Sequence, residues 1–246
     1  MRITQILFGQ GFGSRRVCTG LVHLGEVQVA GQVVDDPDAE FEPQGLALRV
    51  QGLEWTCHVK ALLMLHKPAG YECSQKPRHH PSVMSLLPAP LRTRGVQPVG
   101  RLDEDTTGLL LFTDDGALIH RLTSPKHHVA KVYEVGTKHP IDDGQLAQLL
   151  AGVVLDDDPK PVRAAAAVRS ADCALSLTLT EGKYHQVKRM LAAVGNRVDS
   201  LHRSTFGPWS LPASLAPGQW RWITPAQRVE LNQALDVARA CAVTQP

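Results

Sequence analysis

Residues 100–116 read "GRLDEDTTGLLLFTDDG". Three acids stand in a row, Asp103, Glu104 and Asp105. Thr106, Thr107 and Gly108 follow, then an apolar run from Leu109 to Phe112, then Asp114 and Asp115. A short apolar run bounded by turn residues reads as a buried strand. Such a strand would anchor the loop before it and fix where the first carboxylate points. Three readings compete: a calcium loop, a solvated turn, or a loop that presents one carboxylate for chemistry.

The calcium reading fits in part. Counted from Asp103, the first, third, fifth and sixth positions are Asp103, Asp105, Thr107 and Gly108, and the twelfth is Asp114. That is close to the EF-hand pattern. Three features oppose it. The twelfth residue should be a bidentate Glu. Leu111, the ninth, cannot supply a ligand. The loop should also lie between two helices, whereas "QPVG" precedes it and a strand-like triple Leu lies within it.

Outward from this stretch the chain alternates strands and helices. "ALLMLHKP" is a strand stopped by Pro68, and Asp114 or Asp115 can cap a helix through "GALIHRLTS". "KVYEVGT" is a strand and "DDGQLAQLLAG" a helix with Asp142 as its cap. "ALSLTLT" alternates, with Leu175, Leu177 and Leu179 on one face. "YHQVKRMLAAVG" is a helix with Val187, Met190, Leu191 and Val194 as its apolar stripe. Its polar side carries His185, Lys188 and Arg189, with His185 reaching both partners by i+3 and i+4 spacing. Thr224, Pro225 and Gln227 open a last helix with capping-box spacing.

Residues 1–34 read as a separate small unit: helix, Gly turn, helix, hairpin. Ser14 is the expected N-cap, Val17, Leu21 and Leu24 the apolar stripe, Gly25 the terminator, and Ala30-Gly31 the hairpin turn. The acidic, Pro-containing "DDPDAEFEPQG" and a strand "LALRV" come next, with a boundary near residues 55–60. The expected division is 1–56 and 57–246, and the second part is expected to be an α+β domain on a mixed, largely antiparallel sheet.

With 43% hydrophobic residues the chain can bury a core. No run reaches the roughly 18 apolar residues of a membrane span, and "MRITQILFGQGFGSRR" lacks a signal peptide's apolar centre. A cytoplasmic protein is the default. Cys18, Cys57, Cys73, Cys173 and Cys241 are scattered, without C-x-x-C, and read as reduced thiols. His127 and His128 lack metal-ligand spacing with other Cys or His.

Net charge is only +2, but it is unevenly placed. Residues 1–24 carry Arg2, Arg15 and Arg16 and no acid. Residues 60–101 carry seven bases against one acid, Glu72. Local basic surfaces on a near-neutral protein suit a polyanion, although solvated charge explains the counts equally well. An Asp in a Gly-bounded loop with distant Lys and Arg likewise suits nucleophilic or acid–base chemistry, and equally suits a surface turn.

A resemblance separates these alternatives. "GRLDEDTTGLLLFTDDG" resembles the central motif of the pseudouridine synthases, in which Gly-Arg-Leu-Asp carries the essential aspartate. "HKPAG" (66–70), "KVYEV" (131–135) and "EGKYHQVKRML" (181–191) resemble three further motifs of that family, in the family's order. "GSRRVCTGLVHLGEVQVAGQVV" resembles the S4 RNA-binding module. "SPKHHVAKVYEV", "KPAGYECS" and the lysine of "QVKRM" are most similar to the RsuA branch, which acts on small-subunit (16S) rRNA. The S4-like unit departs from its pattern at Thr4, Gln5 and Ala30, where the module has Asp, Lys and Asn.

The resemblance implies an S4-like domain followed by a pseudouridine synthase domain, acting without metal or cofactor because substrate and product are isomers. It implies Asp103 as nucleophile, Tyr133 stacking on the extruded base, and Lys188 as the partner that keeps Asp103 charged. Read alone, Tyr133 is also a core-edge residue and Lys188 a solvated lysine. Arg15 and Arg16 would meet RNA phosphates, with Lys67, Arg101, His185 and Arg189 as further RNA-binding candidates and Arg78 and Lys126 behind them. The implied partner is folded 16S rRNA or an assembly intermediate, with no membrane and a monomeric protein. The rivals are the same chemistry on large-subunit (23S) rRNA and a non-catalytic RNA-binding assembly factor.

Overall fold

The computed structural model describes residues 1–156 and 158–243, with side chains described to Leu235; Cys241 lies outside that set. The chain divides into two compact units. The first comprises Met1–Leu62 with Met84–Gln97 and Thr113–Asp115, and the second comprises Leu63–Val83, Pro98–Phe112 and the chain from Gly116 onward.

The first unit opens with helix α1 (Ile3–Gln10), which buries Ile3, Ile6 and Leu7 at helical spacing. Gly11 ends it in the left-handed region, at φ 91°. A Cβ there would stand 2.1 Å from the carbonyl oxygen of Pro90, so the position requires glycine twice over. Helix α2 (Arg15–His23) starts where expected, with the Ser14 hydroxyl accepting from the Val17 amide. Its buried side is Cys18, Leu21 and Val22 rather than the expected Val17, Leu21 and Leu24. Val17 is 49% exposed and Leu24 77%. Cys18, a small hydrophobe, takes the core position and turns the stripe by one residue.

Strands β1 (Val27–Val29), β2 (Gln32–Val33), β3 (Ala47–Val50) and β4 (Leu53–Thr56) form an antiparallel sheet in the order β2-β1-β3-β4. Two-residue turns at Ala30-Gly31 and Gln51-Gly52 have positive φ at both positions, as tight hairpins demand. Strand β4 lacks a sequence signal because only Trp55 points fully inward. Thr4 and Gln5, where the unit departs from the S4 pattern, serve the fold internally. Thr4 donates to the Pro37 carbonyl, and the Gln5 side chain accepts from the Arg2 amide.

Helix α3 (Ala89–Arg94) belongs to this unit. Its Arg94 donates through Nε to Asp114 at 2.6 Å and through Nη1 to Gln10. The other Asp114 oxygen accepts from the Ala61 amide. Asp114, expected as a cap of the following helix, is thus committed to a buried guanidinium. An arginine with a 4% exposed side chain needs that counter-charge.

The second unit is built on a nine-stranded sheet. Its elements are β5 (Leu62–Lys67), β6 (Gln97–Pro98), β7 (Thr107–Thr113), α4 (Gly116–Thr123), β8 (Lys131–Thr137), α5 (Asp143–Ala151), β9 (Val153–Leu155), β10 (Asp158–Val162), β11 (Ala166–Ala171), β12 (Ala174–Leu179), α6 (Gln186–Ala193), β13 (Val198–Phe206), β14 (Trp209–Ser210), β15 (Trp220–Trp222) and α7 (Pro225–Val243). The order is β11-β12-β8-β13-β7-β5-β15, with β14 on β13 and β6 on β7, while β9 and β10 make a separate hairpin. The pairing is mostly antiparallel; β13 runs parallel to β7. Leu109–Phe112 are fully buried, as the uninterrupted apolar run requires.

Register then decides which side chains meet. Along β8, Lys131, Tyr133 and Val135 face inward by the period of two. Tyr133 lies opposite Leu177 on one side and Arg203 on the other, and Lys131 lies opposite Leu179 and Phe206. Gly108, at φ 109°, pairs with Arg203, and a Cβ there would be 2.3 Å from the Arg203 carbonyl oxygen. The glycine of "DTTG" is therefore what lets β7 lie against β13. Helix α6 buries Val187, Met190 and Leu191 as expected, but it begins at Gln186. His185 sits before it in the left-handed region, at φ 48°, so helical spacing does not govern where His185 points.

Candidate active site

The second unit holds a cavity of about 110 Å³ whose wall includes Asp103, Tyr133, Lys131, Lys188 and Arg203. A wider groove of about 710 Å³ shares Arg101, Asp103, Lys183, His185 and Lys188 with it, and adds the loop from Glu72 to His80 and Tyr184.

Asp103 is 26% exposed at its side chain. One carboxylate oxygen lies 3.2 Å from Lys188 Nζ and the other 3.3 Å from His185 Nε2. Lys188 also makes two hydrogen bonds to Asp105, at 2.7 and 2.8 Å. Asp105 therefore shares the cation with Asp103. Burial alone would lower the Lys188 pKa, but its bonds to Asp105 and the charge of Asp103 outweigh that and hold it above the ordinary value. Burial alone would raise the Asp105 carboxyl, and the Lys188 ammonium holds it below the usual range. Lys188 thus stands where the EF-hand reading would place the positive charge of calcium. Leu111 is buried in β7. Among the described residues no group of three or more His, Cys, Asp and Glu could hold a metal ion.

The loop that carries Asp103 is held from beneath. Lys67 is fully buried, and its ammonium donates to the carbonyls of Pro68, Glu104 and Thr106. This corrects the expectation that Lys67 meets RNA. At the end of β5, it satisfies two carbonyls of the tight loop, Glu104 and Thr106, and that of its neighbour Pro68. Burial pushes its pKa down. The Gly70 amide also donates to Glu104, and the Thr106 amide closes the turn onto Asp103.

The other predicted residues disperse. Tyr133 is 8% exposed and lines the cavity. Arg101 is exposed and lines both cavity and groove. Arg189 donates to the Tyr184 carbonyl, so it steadies the turn before α6 while Lys188 faces Asp103. The His185 ring stacks on exposed Tyr184 at 3.8 Å. Arg15 and Arg16 are exposed on α2 of the first unit, Arg78 on the groove loop and Lys126 on a short 3-10 turn.

Three features escaped sequence reasoning. Glu72 accepts backbone bonds from Arg78, His79 and His80, which hold its pKa down at about 2 and pin the basic loop. Lys131 and Arg203 line the cavity as buried cations. Counting by two from Tyr133 along β8 would have found Lys131. Arg203 gives no such signal in the chain.

Three comparisons with known proteins agree on the family. Residues 61–193 match the model of the RNA pseudouridylate synthase family. A Bacillus subtilis (strain 168) protein, "Uncharacterized RNA pseudouridine synthase YtzG", is 38% identical over 95% of this chain and 99% of its own. "Ribosomal small subunit pseudouridine synthase A" of Escherichia coli (strain K12) is also 38% identical, over 91% of this chain and 96% of its own. A crystal structure of a pseudouridylate synthase matches with TM-score 0.67 and 33% identity over 94% of this chain and 99% of that one. With the motifs, the sheet and relatives of this identity in agreement along nearly its whole length, the chain belongs to the RNA pseudouridine synthase family.

Proposed function

We propose that this protein isomerises one uridine of small-subunit (16S) rRNA to pseudouridine, with Asp103 as the nucleophile. The observation that carries the reading is Asp103 set between Lys188 and His185 on the wall of a cavity that also contains Tyr133. Lys188 pairs with the carboxylate at 3.2 Å and aims it, and Tyr133 stacks on the flipped base. The 16S assignment is supported by the Escherichia coli relative, whose name specifies the small ribosomal subunit. The reaction is an isomerisation and calls for no cofactor.

RNA docks on both of the domains expected from the sequence. Residues 1–56, with their two helices and hairpins, act as an S4-like module whose Arg15 and Arg16 meet phosphates, and residues 57–246 form the catalytic domain. Arg101, His185 and the Glu72-pinned loop grip the backbone beside the target. Exposed Tyr184, stacked on His185, offers an aromatic face for an unpaired base.

The test is to incubate separate 16S and 23S rRNA with the protein and map pseudouridine chemically. One new site in 16S rRNA is expected. Product confined to 23S rRNA contradicts the substrate, and no product in either contradicts the enzymatic reading.

A further inference from the structure

The cavity contains two cations that the chemistry above leaves unused. Lys131 is 7% exposed and Arg203 2%. Buried charges are ordinarily paired, because an unpaired ion loses its water without return. Here neither is in an ion pair among the described residues. Lys131 Nζ donates to the Val129 carbonyl, Arg203 Nε donates to the Leu109 carbonyl, and Arg203 Nη2 has no hydrogen-bond partner. Both cations lie over the Phe206 ring, at 5.5 and 5.1 Å from its centre. Burial, and then the like charge of Arg203, push the Lys131 pKa down to about 8. Glu181 opposes the shift without reversing it. The protein thus holds two like charges together beside a cavity, an arrangement that an anion would relieve.

Resting on the function proposed above, we propose that Lys131 and Arg203 bind the carbonyl oxygens of the target uracil and hold the negative charge it takes up when its glycosidic bond breaks. Asp103 bonds to C1′ as the C1′–N1 bond breaks with both electrons going to the base, where they spread over N1, O2 and O4. The ring turns, C5 bonds to C1′ as the bond to Asp103 breaks and returns its electron pair to the carboxylate, the proton on C5 is lost, and N1 gains one. Atoms and electrons balance without an oxidant or co-reactant. Register favours the base over a backbone phosphate as occupant. Arg203 lies opposite Tyr133, and Lys131 lies two residues from it on the same face, so both cations flank the ring assigned to stack on the base. Donors fixed where charge develops are a large source of rate enhancement.

The test measures single-turnover pseudouridine formation in 16S rRNA from about pH 6 to about pH 9.5, together with RNA affinity. The titratable and charged groups around Lys131 are Tyr133 beside it on the same face of β8, Arg203 from β13, Glu181 and Lys183 beyond β12, and Arg101, Asp103, His185 and Lys188 from the rest of the cavity wall. The cationic form of Lys131 is the active one, so the wild-type rate should fall as pH rises through about 8. Lys131→Met should slow the reaction roughly 100-fold near neutrality, leave RNA affinity within about 3-fold, and abolish the limb near 8. Its melting temperature should hold, because an apolar isostere replaces an unpaired buried charge. Lys131→Arg should restore much of the rate and move the limb upward. A Lys131→Met protein with the wild-type rate, or with the limb unchanged, overturns the proposal. So does a loss confined to RNA affinity, which would assign the cations to a phosphate. A wild-type protein that makes no pseudouridine overturns the proposed function instead.

Discussion

Two charge clusters share one cavity, and they are built on opposite plans. Asp103, Asp105, Lys188 and His185 are half-exposed and mutually compensated, one ammonium serving two carboxylates. Lys131 and Arg203 are buried and, among the described residues, in no ion pair. The first cluster is paired within the protein, and in the proposed reaction it aims one carboxylate. The second is completed only by what enters. Pre-paired groups set geometry cheaply in partial solvent, whereas unpaired buried cations concentrate their field on a guest.

Removing the shared cation should have the largest effect. Lys188→Met leaves two adjacent carboxylates repelling each other, and kcat should fall roughly 100- to 1,000-fold, a loss of about 3–4 kcal/mol in transition-state stabilisation. Lys188→Arg should recover part of it. If Lys188→Met keeps the wild-type rate, the paired cluster is not what activates Asp103.

The support beneath the first cluster is next. Lys67→Met removes the donor for three carbonyls, and unfolding should cost about 2–4 kcal/mol less in denaturant titration. Unchanged stability would mean that the loop does not depend on Lys67. Asp105→Asn is milder, because Asp103 then has Lys188 to itself. The rate should change by about 10-fold or less, and the Lys188 pKa, read by NMR, should fall toward its ordinary value as one anionic partner disappears.

The smallest effect concerns the groove. Glu72→Ala should leave the fold intact and speed amide exchange at Arg78, His79 and His80, whose donors it holds. In the wild type the same anchor is fully present above the ordinary carboxylate value of 4.5 and is lost as pH falls through about 2.

The two clusters also differ in how well the chain announces them. Asp103 and Lys188 stand in motifs with recognisable neighbours, and strands such as β12 declare their inner face by alternation. Lys131 is as close to Tyr133 in sequence as a residue on its face can be, yet a lysine beside a loop reads as surface until the register of β8 is known. Arg203 becomes part of the cavity only through its pairing with Tyr133 and with Gly108, contacts made across the sheet. Lys67 was misread for the same reason. Two of its three carbonyl partners, Glu104 and Thr106, come within reach only once the Asp103 loop has turned. Asp105 meets Lys188 across 83 positions of chain, so no local pattern could link them. Local period and capping are written in the sequence, whereas long-range polar partners are set by topology.

The most direct measurement uses Asp103→Asn, which keeps size and removes charge. The variant and the wild type would be given 16S rRNA, with RNA affinity and pseudouridine formation followed together. The account predicts near wild-type binding and a rate at least about 10⁴-fold lower. Pseudouridine formed by Asp103→Asn at a rate near that of the wild type would contradict it.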